Sequence, residues 1–178
     1  MERIGFGPRL VASLIDMILS FIVGSILALN NVFSFIDLSN STYFNSQDFK
    51  DIETYLEMIG SDISLGNVQV SVLGYVVGII LYSLIEGVTG ASPGKRFQKI
   101  IIANEDGSEG DVTLFMSRWA IKNITNLMSL LIIVTGAISL QWISSLFAWV
   151  IFLGCFLVLA SHHQALHDKI VKTAVFNS

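Results

Sequence analysis

The sequence feature that most constrains the fold is a run of 37 residues, 124–160, without a charged side chain. Residues 68–85 form a second uncharged run of 18, and residues 10–29 carry one charge, Asp16, in 20 positions. An α-helix rises ~1.5 Å per residue and the hydrocarbon core of a bilayer is ~30 Å thick, so ~17–25 apolar residues cross it once. Each shorter run therefore predicts one crossing. The longest run, ~55 Å as one straight helix, predicts two short crossings.

The break between those two crossings is expected at residues 136–142. Gly136, Ser139 and Gln141 interrupt an otherwise aliphatic stretch there, and Trp142 is typical of a membrane–water interface. Only 13% of the residues are charged, about half the share of a soluble domain. This composition excludes a disordered chain and a nucleic-acid binder with a basic face, and a single cysteine, Cys155, excludes an intramolecular disulfide.

The distribution of basic residues predicts the topology. Nine of the ten fall before the first run, between residues 89 and 123, or after residue 160, whereas residues 30–67 hold one base and six acids. By the positive-inside rule the three basic segments share the cytoplasmic side, which requires an even number of crossings. We therefore expect both termini in the cytoplasm. A cleaved signal peptide is the alternative interpretation of the first run, although that run is longer than a signal core and contains Asp16.

The predicted fold class is an all-α membrane protein, a bundle of four transmembrane helices forming a single domain over residues 1–178. We expect the crossings at about 9–29, 68–88, 120–140 and 142–161, with an outer loop at 30–67, an inner loop at 89–119 and an inner tail at 162–178. Two β-prone runs, 99–103 and 169–176, predict a small cytoplasmic β-element in which two short strands pair. Thr113 is the expected cap of an inner surface helix. Helical spacing of Phe49, Ile52, Leu56 and Ile59 predicts a short extracytoplasmic amphipathic helix.

Three local patterns resemble one known family. The first crossing opens Gly-Pro-Arg-Leu-Val-Ala-Ser-Leu-Ile-Asp at residues 7–16, the second is followed by Ser-Pro-Gly-Lys-Arg at 92–96, and the tail reads Gln-Ala-Leu-His-Asp at 164–168. In this order the chain resembles the RDD family of small bacterial membrane proteins, named for one arginine and two aspartates. The matching trio is Arg9, Asp16 and Asp168, and Ser92 stands where the family usually has threonine. The resemblance implies a location in the bacterial plasma membrane, and cation/proton antiport is among the activities that it implies.

Asp16 is the sharpest functional candidate, because a carboxylate deep in a crossing costs ~2.5–3.5 kcal/mol unless it faces protein, water or a counter-charge. Arg9 and Asp16 are ~10 Å apart along the axis of the same helix. We therefore expect Arg9 to contact another element, such as Asp168, and not Asp16. One hypothesis is a proton-coupled site for a monovalent cation, formed by Asp16 with Glu86 and hydroxyl oxygens of Ser13, Ser20 or Ser83. The alternative is a non-transporting assembly or regulatory partner, in which the trio is structural.

Other charged groups have weaker interpretations. Lys95, Arg96 and Lys99 follow a glycine-containing turn and favour attraction to anionic lipid headgroups. His163 and His167 are four residues apart and would share a helical face, a spacing that metal sites use, but no third ligand is evident. We expect the partners to be the bilayer, a cation and proton, and a second copy or another membrane protein. No nucleophile with its base or cofactor fingerprint occurs, so neither an enzyme nor a cofactor is expected.

Overall fold

The computed structural model describes residues 3–30, 32–35, 50–51, 54–55, 58, 65–160 and 162–177, without the side chains of 65–67 and 69. The described part is mostly helical, with a two-stranded sheet. The elements in chain order are α1 (Phe6–Leu29), α2 (Leu65–Thr89), α3 (Pro93–Phe97), β1 (Ile100–Asn104), α4 (Val112–Lys122), α5 (Ile124–Thr135), α6 (Leu140–Cys155), a 3-10 turn (Phe156–Leu159), α7 (Leu166–Val171) and β2 (Thr173–Asn177).

Three segments of the described chain are long and apolar enough to cross a membrane: Phe6–Leu29, Val70–Thr89 and Leu140–Leu159. The expected crossing at 120–140 is divided instead, because Asn123 has a backbone conformation outside the α region (φ −99°, ψ 13°) and separates α4 from α5. With 12 residues α5 is only ~18 Å long, shorter than the hydrocarbon core. The structure therefore supports three spanning helices by length and composition, and a fourth crossing stays a prediction.

The predicted break after α5 is confirmed. Gly136 caps the helix in the left-handed conformation (φ 71°), which glycine adopts without steric cost, and α6 begins at Leu140. The hairpin returns α6 along α5. Leu73 of α2 and Ile133 of α5 form a small apolar core at the end of the bundle away from the sheet.

Glycines allow α1 and α2 to lie side by side. A Cβ placed on Gly78 would lie 2.7 Å from the Cα of Gly24, so both positions need a residue without a side chain. Small residues at such a crossing let backbones approach closely and increase van der Waals contact within a membrane. This packing holds α1 alongside α2, whose C-terminal end carries Glu86.

The predicted strand pairing is confirmed. β1 and β2 are antiparallel, with Ile100 opposite Asn177 and Asn104 opposite Thr173, and Ile4 N donates to Val175 O over 2.9 Å. Two boundary predictions are wrong. Residues 169–171 belong to α7, and the strand begins only at Thr173, after Lys172 in the left-handed conformation. Asp111, not Thr113, caps α4, because its side chain accepts from Leu114 N over 2.8 Å.

The apolar residues of the expected amphipathic helix, Phe49, Ile52, Leu56 and Ile59, lie outside the described residues. Their described neighbours at 50, 51, 54, 55 and 58 are helical, and Thr54 Oγ1 donates to Lys50 O over 3.0 Å. The helical part of that prediction is consistent with these five positions.

Candidate functional site

The end of the bundle that carries β1 and β2, here called the sheet end, collects most of the buried charge. Asp168, near the beginning of α7, is 0% exposed. Its Oδ2 accepts from Arg9 Nη1 over 2.8 Å and from Ala165 N over 3.2 Å, and its Oδ1 accepts from Arg118 Nε over 2.7 Å. Burial alone would raise the pKa of Asp168, but the Arg118 guanidinium and the other facing cations hold that pKa well below its usual range. The predicted contact between Arg9 and Asp168 is therefore confirmed.

Arg9 also connects backbone segments. Its Nη2 donates to His163 O over 2.7 Å and its Nε donates to Ile4 O over 3.2 Å. The guanidinium thus joins the beginning of α1 to the segment that leads into α7. Arg9 and Asp16, as expected from their axial separation, have different partners among the described residues.

Glu86 belongs to the same cluster as Asp168, through Arg118. Arg118 Nη1 donates to Glu86 Oε1, Lys122 Nζ donates to Oε2 over 2.8 Å, and Lys95 Nζ lies 2.7 Å from Oε1. Burial alone would lower the pKa of Arg118, yet the two carboxylates raise it. We call this set the ionic cluster; its members are Arg9, Glu86, Lys95, Arg118, Lys122 and Asp168.

Asp16 has a site of its own, with partners outside the ionic cluster. Its Oδ1 accepts from Tyr82 OH over 2.7 Å and from Gly94 N over 2.8 Å, and its Oδ2 accepts from Ser92 Oγ over 2.5 Å. The expectation that Asp16 meets polar groups of other elements is confirmed. Among the described residues it shares no hydrogen-bond partner with Glu86, so the two acids lie in separate sites.

The Ser-Pro-Gly sequence before α3 fits this site residue by residue. Ser92 binds Asp16 and also caps α3 by accepting from Lys95 N over 3.4 Å, and Pro93 starts the helix where no amide donor is needed. Gly94 lies so close to α1 that an added Cβ would be 2.3 Å from Ala12 O. The three hydroxyls proposed as cation ligands point elsewhere: Ser13, Ser20 and Ser83 donate to carbonyls of their own helices.

The two histidines do not share a helical face. His163 lies before α7 with φ 49°, and its Nδ1 is 3.1 Å from Val158 O, whereas His167 is buried inside α7. The expectation is wrong because α7 begins only at Leu166. Within the described ranges no group of three His, Cys, Asp or Glu side chains could hold a metal ion.

The basic motif is divided between interior and surface. Lys95 is buried against Glu86, which is incompatible with a role in surface attraction, whereas Arg96 and Lys99 are exposed. Burial, with Arg118 nearby, lowers the pKa of Lys95 to about 7. The headgroup hypothesis therefore keeps Arg96 and Lys99 at the surface, next to Phe97, which is 76% exposed.

Sequence reasoning missed Arg118, Lys122 and Tyr82 as site residues. The two basic residues lie on α4, the helix expected along the inner surface. A usable signal was their spacing of four on α4, which places both on one helical face, together with two apolar-flanked acids that need counter-charges. Tyr82 has no comparable signal in the sequence.

Comparison with known proteins gives one result. A family model described as RDD family matches residues 3–172. Searches of curated proteins and of solved structures found no match.

Proposed function

The chain belongs to the RDD family, and from that premise we propose that it is a non-transporting membrane assembly or regulatory partner protein. In this proposal the trio of Arg9, Asp16 and Asp168 is structural. It joins the membrane helices to the small β-element, so that the sheet end is a rigid surface for a second copy or another membrane protein. Asp168 and Arg9 act in the ionic cluster, and Asp16 holds α3 against α1.

One observation carries the proposal: every carboxylate oxygen of Asp16, Glu86 and Asp168 already accepts from, or pairs with, a protein donor. A transported cation would have to displace those donors. Removing one partner of a buried ion pair costs ~3–5 kcal/mol, so such displacement is expensive in the cluster. Filled acceptor sites are what a structural role requires.

The proposed location is the bacterial plasma membrane, with four crossings and both termini in the cytoplasm. The sorting of nine basic residues supports this orientation, and the exposed apolar faces of α1 and α6 suit contact with lipid. Trp142, 84% exposed at the beginning of α6, suits the outer interface. In this arrangement α5 completes the fourth crossing together with neighbouring residues.

Cation/proton antiport is the second candidate, and the surroundings of Asp16 favour it. The carboxylate lies ten residues into α1 between the hydroxyls of Tyr82 and Ser92, and hard oxygen ligands of this kind suit an alkali cation. Glu86 does not assist in this version, because three cations already face it. The mechanism would require Asp16 to exchange a proton for the cation.

Proton flux into proteoliposomes separates the two candidates. The structural proposal expects no cation-dependent proton movement by the wild-type protein for sodium, potassium or lithium gradients. It also expects a single molecular mass above that of the monomer, or capture of a defined membrane partner. Cation-dependent flux that disappears in Asp16→Asn but persists in the matched helix variant Ser20→Ala would contradict it and establish the antiport candidate.

A further inference from the structure

A cavity of about 310 Å³ lies at the sheet end between the beginning of α1 and the end of α6. Four basic residues line its polar part, Arg9, Lys95, Arg118 and Lys122, and no described carboxylate lines it. The ionic cluster contains only two carboxylates, Glu86 and Asp168, against these four bases. The cavity therefore has an excess of positive charge at its polar part, which favours an anion.

The opposite part of the cavity is apolar. Its wall includes Leu10 of α1 with Phe152 and Phe156, each roughly half exposed on the outer faces of the helices. The Phe6 and Phe156 rings are stacked with centroids 6.4 Å apart and close the wall near the sheet end. Because these side chains continue into exposed apolar surface, a bound molecule can extend from the basic part into surrounding hydrocarbon.

Two polar atoms buried behind the cavity lining have no hydrogen-bond partner among the described residues. Arg118 Nη2 lies 3.0 Å from His167 Nε2, and a guanidinium can only donate, so Nε2 is the acceptor. Burial lowers the pKa of His167 to about 3, which keeps the ring neutral and places its hydrogen on Nδ1. Nδ1 has no hydrogen-bond partner among the described residues, and neither has Lys95 Nζ, which pairs with Glu86 without hydrogen-bond geometry. Buried donors without a partner are rare. Neither atom is accessible from the cavity, but both add to the positive potential around it.

We propose that this cavity binds the phosphate group of an anionic glycerophospholipid, with the phosphate against Arg9 and Lys122, the cluster bases with the more accessible side chains. The first carbons of the lipid follow Phe152 and Phe156 into the bilayer. Basic pockets between membrane helices bind anionic headgroups in the same way. The volume is close to that of ~10 water molecules, enough for a phosphate and the glycerol carbons but not for whole acyl chains. This site is distinct from the exposed Arg96 and Lys99, and it does not depend on whether the protein transports anything.

The test titrates the full chain in a nonionic detergent with dioctanoyl phosphatidylglycerol, with dioctanoyl phosphatidylcholine and with inorganic phosphate. Binding is measured by native mass spectrometry and by the shift of the unfolding midpoint. The expected result is saturable binding of phosphatidylglycerol at one site, with little binding of phosphatidylcholine. A shift as large with inorganic phosphate as with phosphatidylglycerol would overturn the assignment to a lipid.

A cavity-filling variant locates the site. Ser13 lines the cavity but donates only to Leu10 O, and Ser20, two turns further along α1, donates equivalently to Met17 O. Ser13→Phe should weaken phosphatidylglycerol binding at least ~10-fold, or ~1.4 kcal/mol, whereas Ser20→Phe should not. Equal binding by both variants would overturn the proposal.

A charge variant keeps the test valid if Ser13→Phe does not fold. The Lys122 side chain is about one-third exposed. Lys122→Met should therefore disturb the fold less than removal of a fully buried base would. Loss of one basic residue should weaken binding ~5-fold, on the scale of ~1 kcal/mol per basic residue. Lys169→Met, at an exposed position of α7, is the matched control. Binding lost instead in Arg96→Ser and retained in Lys122→Met would show attraction to the exposed bases Arg96 and Lys99 and contradict the cavity site.

Discussion

Arg118 Nε donates to Asp168 Oδ1 over 2.7 Å between two side chains that are almost completely buried. The same guanidinium donates to Glu86 through Nη1. One side chain of α4 therefore connects the end of α2 to α7, and Arg9 connects Asp168 to the beginning of α1. These charge pairs hold the elements at the sheet end together alongside an apolar core formed by Ile4, Ile100 and Val175 with their neighbours.

Removing Asp168 should strongly destabilise the protein. Asp168→Ala leaves Arg9 without its counter-charge and Arg118 with Glu86 as its remaining carboxylate, and we expect the free energy of unfolding to fall by ~3–5 kcal/mol. Unfolding in mixed detergent–dodecyl sulfate micelles measures this change. Glu105→Ala, which breaks the exposed pair between Arg3 and Glu105 (3.6 Å), should lose less than ~1 kcal/mol. Similar losses for both variants would contradict the structural role of the cluster.

Gly94 should be intolerant of any side chain. Gly94→Ala places a methyl group 2.3 Å from Ala12 O and 2.8 Å from Asp16 Oδ1, so α3 must move away from α1. We expect a loss of ~1–3 kcal/mol, typical of overpacking, measured by the same unfolding assay. In Gly7→Ala the new Cβ meets no atom within 4 Å, and its stability should change by less than ~0.5 kcal/mol. Equal tolerance at the two positions would exclude the close approach.

The Ser92 hydroxyl should matter more than the size of the side chain. Ser92→Ala leaves Asp16 Oδ2 without its donor and removes the α3 cap, and we expect a loss of ~1–3 kcal/mol. Ser92→Thr retains the hydroxyl and should lose less than Ser92→Ala. The unfolding free energies of the two variants decide this prediction, which fails if alanine is tolerated better than threonine.

Stability should rise with pH above neutrality because of Lys95. Its pKa is about 7 in the folded protein and ~10.4 in an unfolded chain, so between these values the unfolded state binds more protons. The free energy of unfolding should therefore increase by up to ~1.4 kcal/mol per pH unit through that window, and this group contributes no slope below pH 7. Glu86, Arg118 and Lys122 face the amine and set this balance. Lys95→Met should abolish the added slope; an unchanged slope would contradict the assignment to Lys95.

The orientation can be tested by labelling. In a Cys155→Ala background, single cysteines replacing Asp48 and Lys99 should react with an impermeant maleimide from opposite sides of the membrane. The acidic segment at 30–67 and the basic segment at 89–123 predict this result. Labelling of both positions from the same side would contradict the topology.

Much of the fold can be predicted from local sequence patterns. Apolar runs of bilayer length predict spanning helices, glycine at 136 predicts the break, and β-prone runs predict the strand pair, because each depends on neighbouring residues or on one simple pairing. The crossing at 120–140 stays a prediction, but the helix within it covers only Ile124–Thr135, because Asn123 ends α4 through a single backbone conformation that hydropathy does not register.

The sequence by itself determined the membrane class and the sorting of charges, and it named Asp168 as a candidate partner of Arg9. Only the tertiary structure decided where the remaining charges lie. In the folded chain Lys95 is buried beside Glu86, Glu86 also pairs with Arg118, and Asp16 accepts from Ser92, which is 76 positions away. The physical reason is that a buried charge takes whichever partner the packed helices bring within hydrogen-bond distance, and that choice depends on helix rotation and close glycine contacts that no local pattern encodes.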